Sequence, residues 1–170
     1  MSGVVDFMNL IAYTDHERAK WKSWLAADQS RLAIPFQSGA RFATVGSLIN
    51  HMFWVEERHL ARLEGNPVPE TSGAPENDLD ALFAYGDRVR ANLRRFVTGA
   101  DDVRISEPIT FKLGGAPQQY TVLRRKLAAH IFIHEIRHFA QIAYAARVAG
   151  HEPPGEHDYF FAPVDQAAGA

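Results

Sequence analysis

The sequence predicts an all-α fold, an up-down four-helix bundle with a short β-hairpin before the fourth helix. Four long segments carry apolar side chains at three- and four-residue steps, which is the period of an amphipathic helix. Glycine and proline residues interrupt the chain between these segments, where turns are expected. One further segment alternates apolar and polar residues and contains Gly114-Gly115, which is typical of a hairpin.

The first helix is predicted over residues 4–27 and the second over residues 42–64. A connection over residues 30–40 separates them, and Gly65-Asn66-Pro67 ends the second helix because proline cannot continue it. The first helix contains His16 and Glu17 within a run of charged residues. Such a run is usually the solvated face of an amphipathic helix, so we leave both residues out of the candidate site.

The third helix is predicted over residues 78–97, after a surface loop at residues 66–77. Asp78 or Asn77 can cap its start, and Gly99 marks its end. The hairpin is expected within residues 103–120.

The fourth helix is predicted to run from a cap at Thr121 to Ala149, where Gly150 closes it. Residues 151–162 contain prolines and aromatic residues and are expected to form a strap that packs back on the bundle. We therefore predict one domain over residues 1–162, with residues 163–170 as a disordered tail.

Composition restricts the functions that this chain can have. Its 170 residues, of which 46% are hydrophobic, suffice for one domain with a sizeable core. A net charge of -2 with both signs interspersed predicts neither a nucleic-acid partner nor a membrane surface. The absence of cysteine excludes disulfides and thiolate ligands. Without a secretory signal or a membrane-spanning run, we expect a cytoplasmic protein.

Three histidines of the fourth helix are the candidate functional residues. His130, His134 and His138 are spaced by four residues, so they form one stripe on a helix that is apolar over most of its surface. An unpaired polar group in such surroundings costs roughly 1 to 3 kcal/mol, and a metal ion would employ several imidazoles at once. The spacing alone leaves two interpretations open, a metal site or a stack of core histidines.

A third ligand would have to come from another helix, and the second helix contains two histidines. His51 lies within the apolar pattern beside Met52 and Phe53, whereas His59 lies among charged residues and is expected to be solvated. We therefore favour His51. Three protein ligands leave a coordination position open, as in catalytic metal sites, and imidazole ligands suit zinc, nickel, iron and copper.

Two segments of the chain, GSLINHMFWVEERHLARLEG and HIFIHEIRHFAQIAYAARVAGHEPP with TFKLGG ahead of the second, resemble the DinB/YfiT superfamily of four-helix-bundle metalloenzymes. The resemblance covers nearly the whole chain. It implies that His51, His134 and His138 bind a divalent metal, commonly zinc or nickel, and that His130 lies near the site without binding the metal. The HHRGQ motif of the family is only partly present, because Phe139 and Ala140 replace its arginine and glycine.

Gln141 matches the last residue of that motif. One turn after His138, its side chain could hydrogen-bond a ligand or a bound water, or it could make a polar contact between helices.

The resemblance also implies a function. Characterised relatives transfer small thiols such as bacillithiol or mycothiol to electrophiles, or isomerise with a thiol cofactor. We therefore expect a homodimeric, metal-dependent enzyme that activates an external thiol or water nucleophile toward a small-molecule substrate, with zinc or nickel, or else iron, as its metal. One alternative is a non-catalytic metal-binding or stress-response bundle, and another is a plain dimeric bundle whose histidines pack against one another.

Overall fold

The computed structural model describes residues 6–36, 41–113 and 117–164. Within these ranges the bundle consists of helices α1 (Phe7–Ala27), α2 (Val45–Glu64), α3 (Leu79–Gly99) and α5 (Arg124–Val148). A short helix, α4 (Asp102–Ser106), and an antiparallel hairpin of β1 (Pro108–Lys112) and β2 (Gln119–Leu123) lie between α3 and α5. The predicted helical bundle with a hairpin before its last helix is confirmed.

Four details of the prediction lie outside the described residues. These are the first residues of the predicted first helix, part of the 30–40 connection, the Gly114-Gly115 turn and the tail from residue 165 onward. The described part of that connection forms a 3-10 turn over Gln29–Ala33.

Side-chain caps determine where the helices begin. The Thr44 hydroxyl accepts a hydrogen bond from the Ser47 backbone N–H at 3.2 Å, and the Ser47 hydroxyl accepts one from the Thr44 N–H at 3.0 Å. This reciprocal pair starts α2 at Val45, three residues later than predicted. Asp78 caps α3 as predicted, and Gly65 ends α2 with a φ of 79°.

The prediction is wrong at the junction between the hairpin and α5. Val103 and Ile105 were expected in the hairpin, but they lie in α4, which Asp101 caps by accepting a hydrogen bond from the Arg104 N–H at 2.7 Å. Thr121 does not cap α5. It lies in β2 opposite Thr110, with the two hydroxyl oxygens 2.8 Å apart, and α5 begins at Arg124 without a side-chain cap.

The hydrophobic core has two parts. One surrounds Trp21 and Phe53, and the other surrounds Leu63 and Phe132. A group of four buried charged residues contacts both parts, since the Arg18 guanidinium lies 4.6 Å from the centre of the Phe53 ring and that of Arg90 lies 5.5 Å from the Phe132 ring.

We call these four residues the ionic layer: Arg18, Glu56, Arg90 and Glu135. Each comes from a different long helix, and each is at most 5% exposed. Arg18 Nε is 2.5 Å from Glu135 Oε1, Arg90 Nε is 3.1 Å from Glu56 Oε1, and two further ion pairs join Arg18 to Glu56 and Arg90 to Glu135. The expected solvated face of α1 is therefore wrong for Arg18, and also for Glu17, which is 2% exposed.

The C-terminal segment packs on α1, which confirms the predicted strap. The Trp24 indole N–H donates to the Glu152 carbonyl at 2.7 Å. The His157 ring stacks on Trp21 with 5.2 Å between ring centres, and its Nδ1 lies 2.6 Å from Glu17 Oε2. These contacts explain why Glu17 is buried.

None of the described helices combines the length and the apolar character that a membrane span requires.

Candidate metal centre

Three histidines from two helices converge at one point of the bundle. His51 lies in the second turn of α2, while His134 and His138 lie one turn apart on α5. One ring nitrogen from each of them lies within 4.8 Å of the other two. His134 and His138 are closest, with 3.0 Å between their Nε2 atoms, and the His51 ring centre lies 5.2 and 5.4 Å from theirs. We call this group the histidine cluster.

The donor set of the histidine cluster fits a divalent metal. Zinc–imidazole bonds of about 2.0–2.1 Å in tetrahedral geometry require about 3.3 Å between two ligand nitrogens. The His134–His138 separation is near that value. The three nitrogens belong to imidazoles that converge on one point. Three such ligands leave one coordination position of a tetrahedral metal for water or substrate.

Gln141 determines which nitrogen of His138 faces the cluster. The Gln141 side-chain oxygen lies 2.5 Å from His138 Nδ1, and since an amide oxygen can only accept, this contact assigns the His138 proton to Nδ1. The lone pair of His138 is therefore on Nε2, the atom that approaches His134. Gln141 thus makes its hydrogen bond with His138, one of the candidate ligands.

The surroundings of the cluster keep its histidines neutral. Burial lowers the pKa of His134 to about 2 and that of His51 to about 4, and the neighbouring His138 adds to both shifts. Burial also lowers the pKa of His138, although its hydrogen bond with Gln141 acts in the opposite direction. A neutral imidazole has the free lone pair that metal binding needs, so the cluster needs no deprotonation step at neutral pH.

A cavity of about 640 Å³ opens beside the cluster and includes all three histidines in its wall. Its other walls are largely apolar, with Phe36, Phe42, Leu48, Tyr144 and Val148 among the lining residues. Arg41 and Arg137 also line it, and both are exposed. The cavity thus combines a possible metal position, apolar walls and two cations, and it can admit a small molecule.

His130, the first residue of the predicted stripe, does not belong to the cluster. Its ring centre lies 5.6 Å from that of His134 and 5.3 Å from that of His59, and it is exposed. Of the four candidate histidines, the structure therefore brings His51, His134 and His138 together and places His130 outside the cluster.

The expectation that His59 is solvated is wrong. His59 is 6% exposed, because Glu56 and Arg62 beside it on α2 are also buried and the hairpin covers this part of the helix. The Phe111 ring centre of β1 lies 6.3 Å from the His59 ring, and Arg62 Nη1 lies 3.5 Å from His59 Nδ1. Burial lowers the pKa of His59 to about 3, and Arg62 and His130 add to the shift.

The ionic layer holds the two helices of the cluster in register. Glu56 of α2 and Glu135 of α5 share Arg18 and Arg90, and Glu135 directly follows the cluster residue His134. Sequence reasoning missed this role of Glu135. A signal was present, because these charged residues occupy positions of the apolar stripe, as Arg18 does between Ile11, Thr14, Trp21 and Leu25.

Sequence reasoning also missed the two arginines of the cavity. Arg137 precedes the cluster residue His138, but a single exposed cation on a helix carries no signal of its own. Arg41 lies ahead of α2, and its guanidinium lies 5.3 Å from the Phe42 ring centre. That ring is in turn 4.5 Å from the His51 ring, which places Arg41 beside the cluster.

The model of the DinB family matches residues 1–163, which span all the helices of the bundle and the strap. No curated protein matches the chain.

Proposed function

The chain belongs to the DinB family, and we propose that it is a divalent-metal-dependent enzyme that activates an external thiol or water nucleophile. His51, His134 and His138 would hold the metal, which we expect to be zinc or nickel, or else iron. The observation that supports this proposal is the convergence of three neutral imidazoles, within 4.8 Å of one another, at the wall of a cavity. A bound metal would lower the pKa of water or a thiol at its open position, or polarise a carbonyl.

The residues of the chain would prepare and orient the reactants. Gln141 keeps the proton of His138 on Nδ1, so that Nε2 remains a lone-pair donor. The apolar walls of the cavity exclude water from a bound substrate and bind its apolar part. The thiol would come from outside, because the chain contains no cysteine.

The cavity favours an enzyme over a non-catalytic metal-binding module. A metal with a purely structural role is normally closed by four protein ligands, whereas the described residues provide three. A fourth position would face the cavity, where a small-molecule substrate can reach it. Catalysis nevertheless has to be tested separately from metal binding.

The first experiment measures metal content. Untagged protein, purified and also reconstituted with zinc or nickel, is analysed by plasma mass spectrometry together with His51→Ala, His134→Ala and His138→Ala. We expect about one metal per chain in the wild type and a loss in each variant, since two imidazoles alone bind a divalent ion weakly.

His16→Ala is the matched control, because His16 lies on α1 outside the cluster and should leave the metal content unchanged. His130→Ala should also retain the metal. No metal after reconstitution, or equal metal in all variants, would contradict the proposed site.

Turnover is then tested by incubating the metal-loaded protein with small thiols and an electrophile such as monochlorobimane. We expect thiol consumption that requires both the metal and His51. Metal binding without turnover of any thiol or hydrolytic substrate would favour the non-catalytic module.

We also propose that the protein forms a homodimer. Ile133, Tyr144 and Val148 on α5 are large apolar residues with exposed fractions of 58% or more. An exposed apolar stripe of this kind is a common feature of interfaces. Light scattering coupled to size exclusion measures the mass directly, and a monomer at micromolar concentration would refute the proposal. A cytoplasmic location remains an expectation.

A further inference from the structure

A second cavity lies at the other end of α2 and shares no lining residue with the cavity of the histidine cluster. Its volume is about 580 Å³, and it is formed by the C-terminal end of α2, the loop that follows and strand β1. We call it the hairpin groove. Its position is defined by Arg58, Arg62, Asn66, Phe111 and Lys112.

The hairpin groove contains cations without counter-ions. Among the described residues, no carboxylate oxygen lies within 4.0 Å of the side-chain nitrogens of Arg58, Arg62 or Lys112. The groove includes one acid, Glu70, which is exposed and makes no ion pair with these cations. The local charge is therefore positive, although the whole chain carries a net charge of -2.

Arg62 is the most deeply buried of the three cations, with only 9% of its surface exposed, so it is the one most affected by the missing negative charge. Its Nη1 donates to the Arg58 carbonyl at 3.1 Å and lies 3.5 Å from His59 Nδ1. Its guanidinium lies 5.2 Å from the centre of the Phe111 ring. These contacts hold the arginine in place but supply no negative charge, and a buried cation without a counter-ion is costly. Burial and the neighbouring Arg58 accordingly lower the pKa of Arg62.

Apart from Glu70, the other residues that line the groove are uncharged. Phe111, Ile109 and Pro69 supply apolar surface, and Asn66 supplies an amide. A guanidinium fork with free N–H groups is suited to the two oxygens of a carboxylate or a phosphate, and the apolar wall is suited to a hydrocarbon or planar group.

We propose that the hairpin groove binds a small organic oxyanion, with its charged end on Arg62, Arg58 and Lys112 and its apolar part against Phe111. The ligand supplies the negative charge that the protein lacks at this point. The groove is a site distinct from the metal centre, and it does not depend on the metal or on the proposed reaction.

The test uses phenyl phosphate and benzoate as probes, with benzyl alcohol as a neutral probe of similar size. Each is titrated into full-length protein labelled with ¹⁵N, with backbone amide shifts as the readout. We expect both anions to shift amides at residues 58–70 and 108–113, and the neutral alcohol to shift none at the same concentration. The stronger of the two anions identifies the class of oxyanion.

Variants then assign the binding to the groove. Arg62→Gln should weaken anion binding about tenfold or more, because it removes a charged fork from a partly desolvated site. Arg62→Lys should weaken it less, since it keeps the charge but loses the fork. Lys112→Gln tests the proposal independently at an exposed position, where we expect a stability change of at most about 0.5 kcal/mol, and it should weaken binding severalfold.

Arg95→Gln is the matched control, because Arg95 is an exposed arginine of α3 outside both cavities, and binding should not change. His134→Ala should also retain binding, which separates this proposal from the metal centre. No shift with either anion would overturn the proposal. So would binding that survives both Arg62→Gln and Lys112→Gln, or shifts that vanish in His134→Ala.

Discussion

Two polar regions of the bundle, the ionic layer and the histidine cluster, differ in how their side chains are paired. In the ionic layer two guanidinium groups face two carboxylates, and Arg90 also donates to the Thr14 hydroxyl at 2.7 Å. The charges cancel within the group. In the histidine cluster three neutral bases face one another, and the nearest nitrogens, on His134 and His138, are 3.0 Å apart.

This difference separates a structural role from a functional one. A buried network whose positive and negative charges are paired leaves no net charge for a ligand to neutralise, and its main effect is on the packing of the helices. In the histidine cluster the 3.0 Å contact joins two neutral imidazoles in a hydrogen bond, and a cation can take the place of the shared proton and bind both nitrogens. All three histidines of the cluster line an apolar cavity, whereas the two carboxylates of the ionic layer line none of the described cavities and are 2% exposed.

The largest expected effect comes from breaking the ionic layer. Glu56→Gln leaves Glu135 as the one buried carboxylate beside Arg18 and Arg90, with the partly exposed Asp15 3.5 Å from Arg90 Nε. We expect the substitution to lower the free energy of unfolding by about 3 to 5 kcal/mol. Urea denaturation measures this change. Glu64→Gln, at an exposed position of the same helix, should cost about 0.5 kcal/mol or less. Folded Glu56→Gln protein should still bind one metal, and loss of the metal from folded protein would contradict the division of roles.

Metal removal should affect only the histidine cluster. A ligand that binds the native state alone stabilises it by about 2.7 kcal/mol when its free concentration is 100 times its Kd. Chelation should therefore lower the thermal midpoint of the wild type and leave that of His134→Ala unchanged. Calorimetry with and without added metal measures both. An equal effect of metal on the two proteins would show that the ion binds elsewhere.

Gln141 should tune the metal site without being essential to it. Gln141→Leu removes the acceptor that holds the His138 proton on Nδ1, and we expect the metal affinity to fall by about 10- to 100-fold. Competition with a chromogenic chelator measures the affinity. Gln119→Leu, at an exposed position of β2, serves as the control. An unchanged affinity in Gln141→Leu would mean that the hydrogen bond does not orient the ligand.

Local patterns were enough to predict much of this structure. The pairing of His134 with His138 follows from helix geometry alone, because residues four apart share a face. The periods of three and four residues also predicted the long helices to within a few residues. The choice of His51 over His59 was less secure, since it followed from the apolar neighbours of His51 and from the wrong expectation that His59 is solvated. The family resemblance implied the same ligand and was needed to exclude His130.

Interactions between distant segments caused the errors. His59 was expected to be solvated because Glu56 and Arg62 are charged. A charged residue can be buried, however, when a residue from another helix pairs with it. Glu56 finds its partners on α1 and α3, at Arg18 and Arg90, and no pattern within α2 reveals them. Thr121 was assigned to a helix cap because its pairing with Thr110 depends on the register of the hairpin.

The smallest expected effect concerns the pH dependence of the free energy of unfolding in metal-free protein, which differs between the histidines and the ionic layer. Burial gives His59 a pKa of about 3 in the folded state, below the usual value of 6.5, so the unfolded chain binds more protons as the pH falls below 6.5. Stability contributed by His59 is thus complete above pH 6.5 and is lost toward pH 3. Burial alone would raise the pKa of Glu135, but Arg18 and Arg90 outweigh it and hold the pKa below 4.5, so its stabilising contribution is lost only at lower pH.

Urea unfolding at pH 7, 6 and 5 isolates the histidine contribution, because Glu135 stays ionised throughout this range. His59→Gln should flatten the dependence of the unfolding free energy on pH by at most about 1.4 kcal/mol per pH unit, the value for one proton. The variant keeps a residual slope, since burial also lowers the pKa of His51 and His134. Identical slopes in the wild type and the variant would mean that His59 is solvated in solution. The burial of α2 beneath the hairpin, on which the hairpin groove depends, would then be wrong.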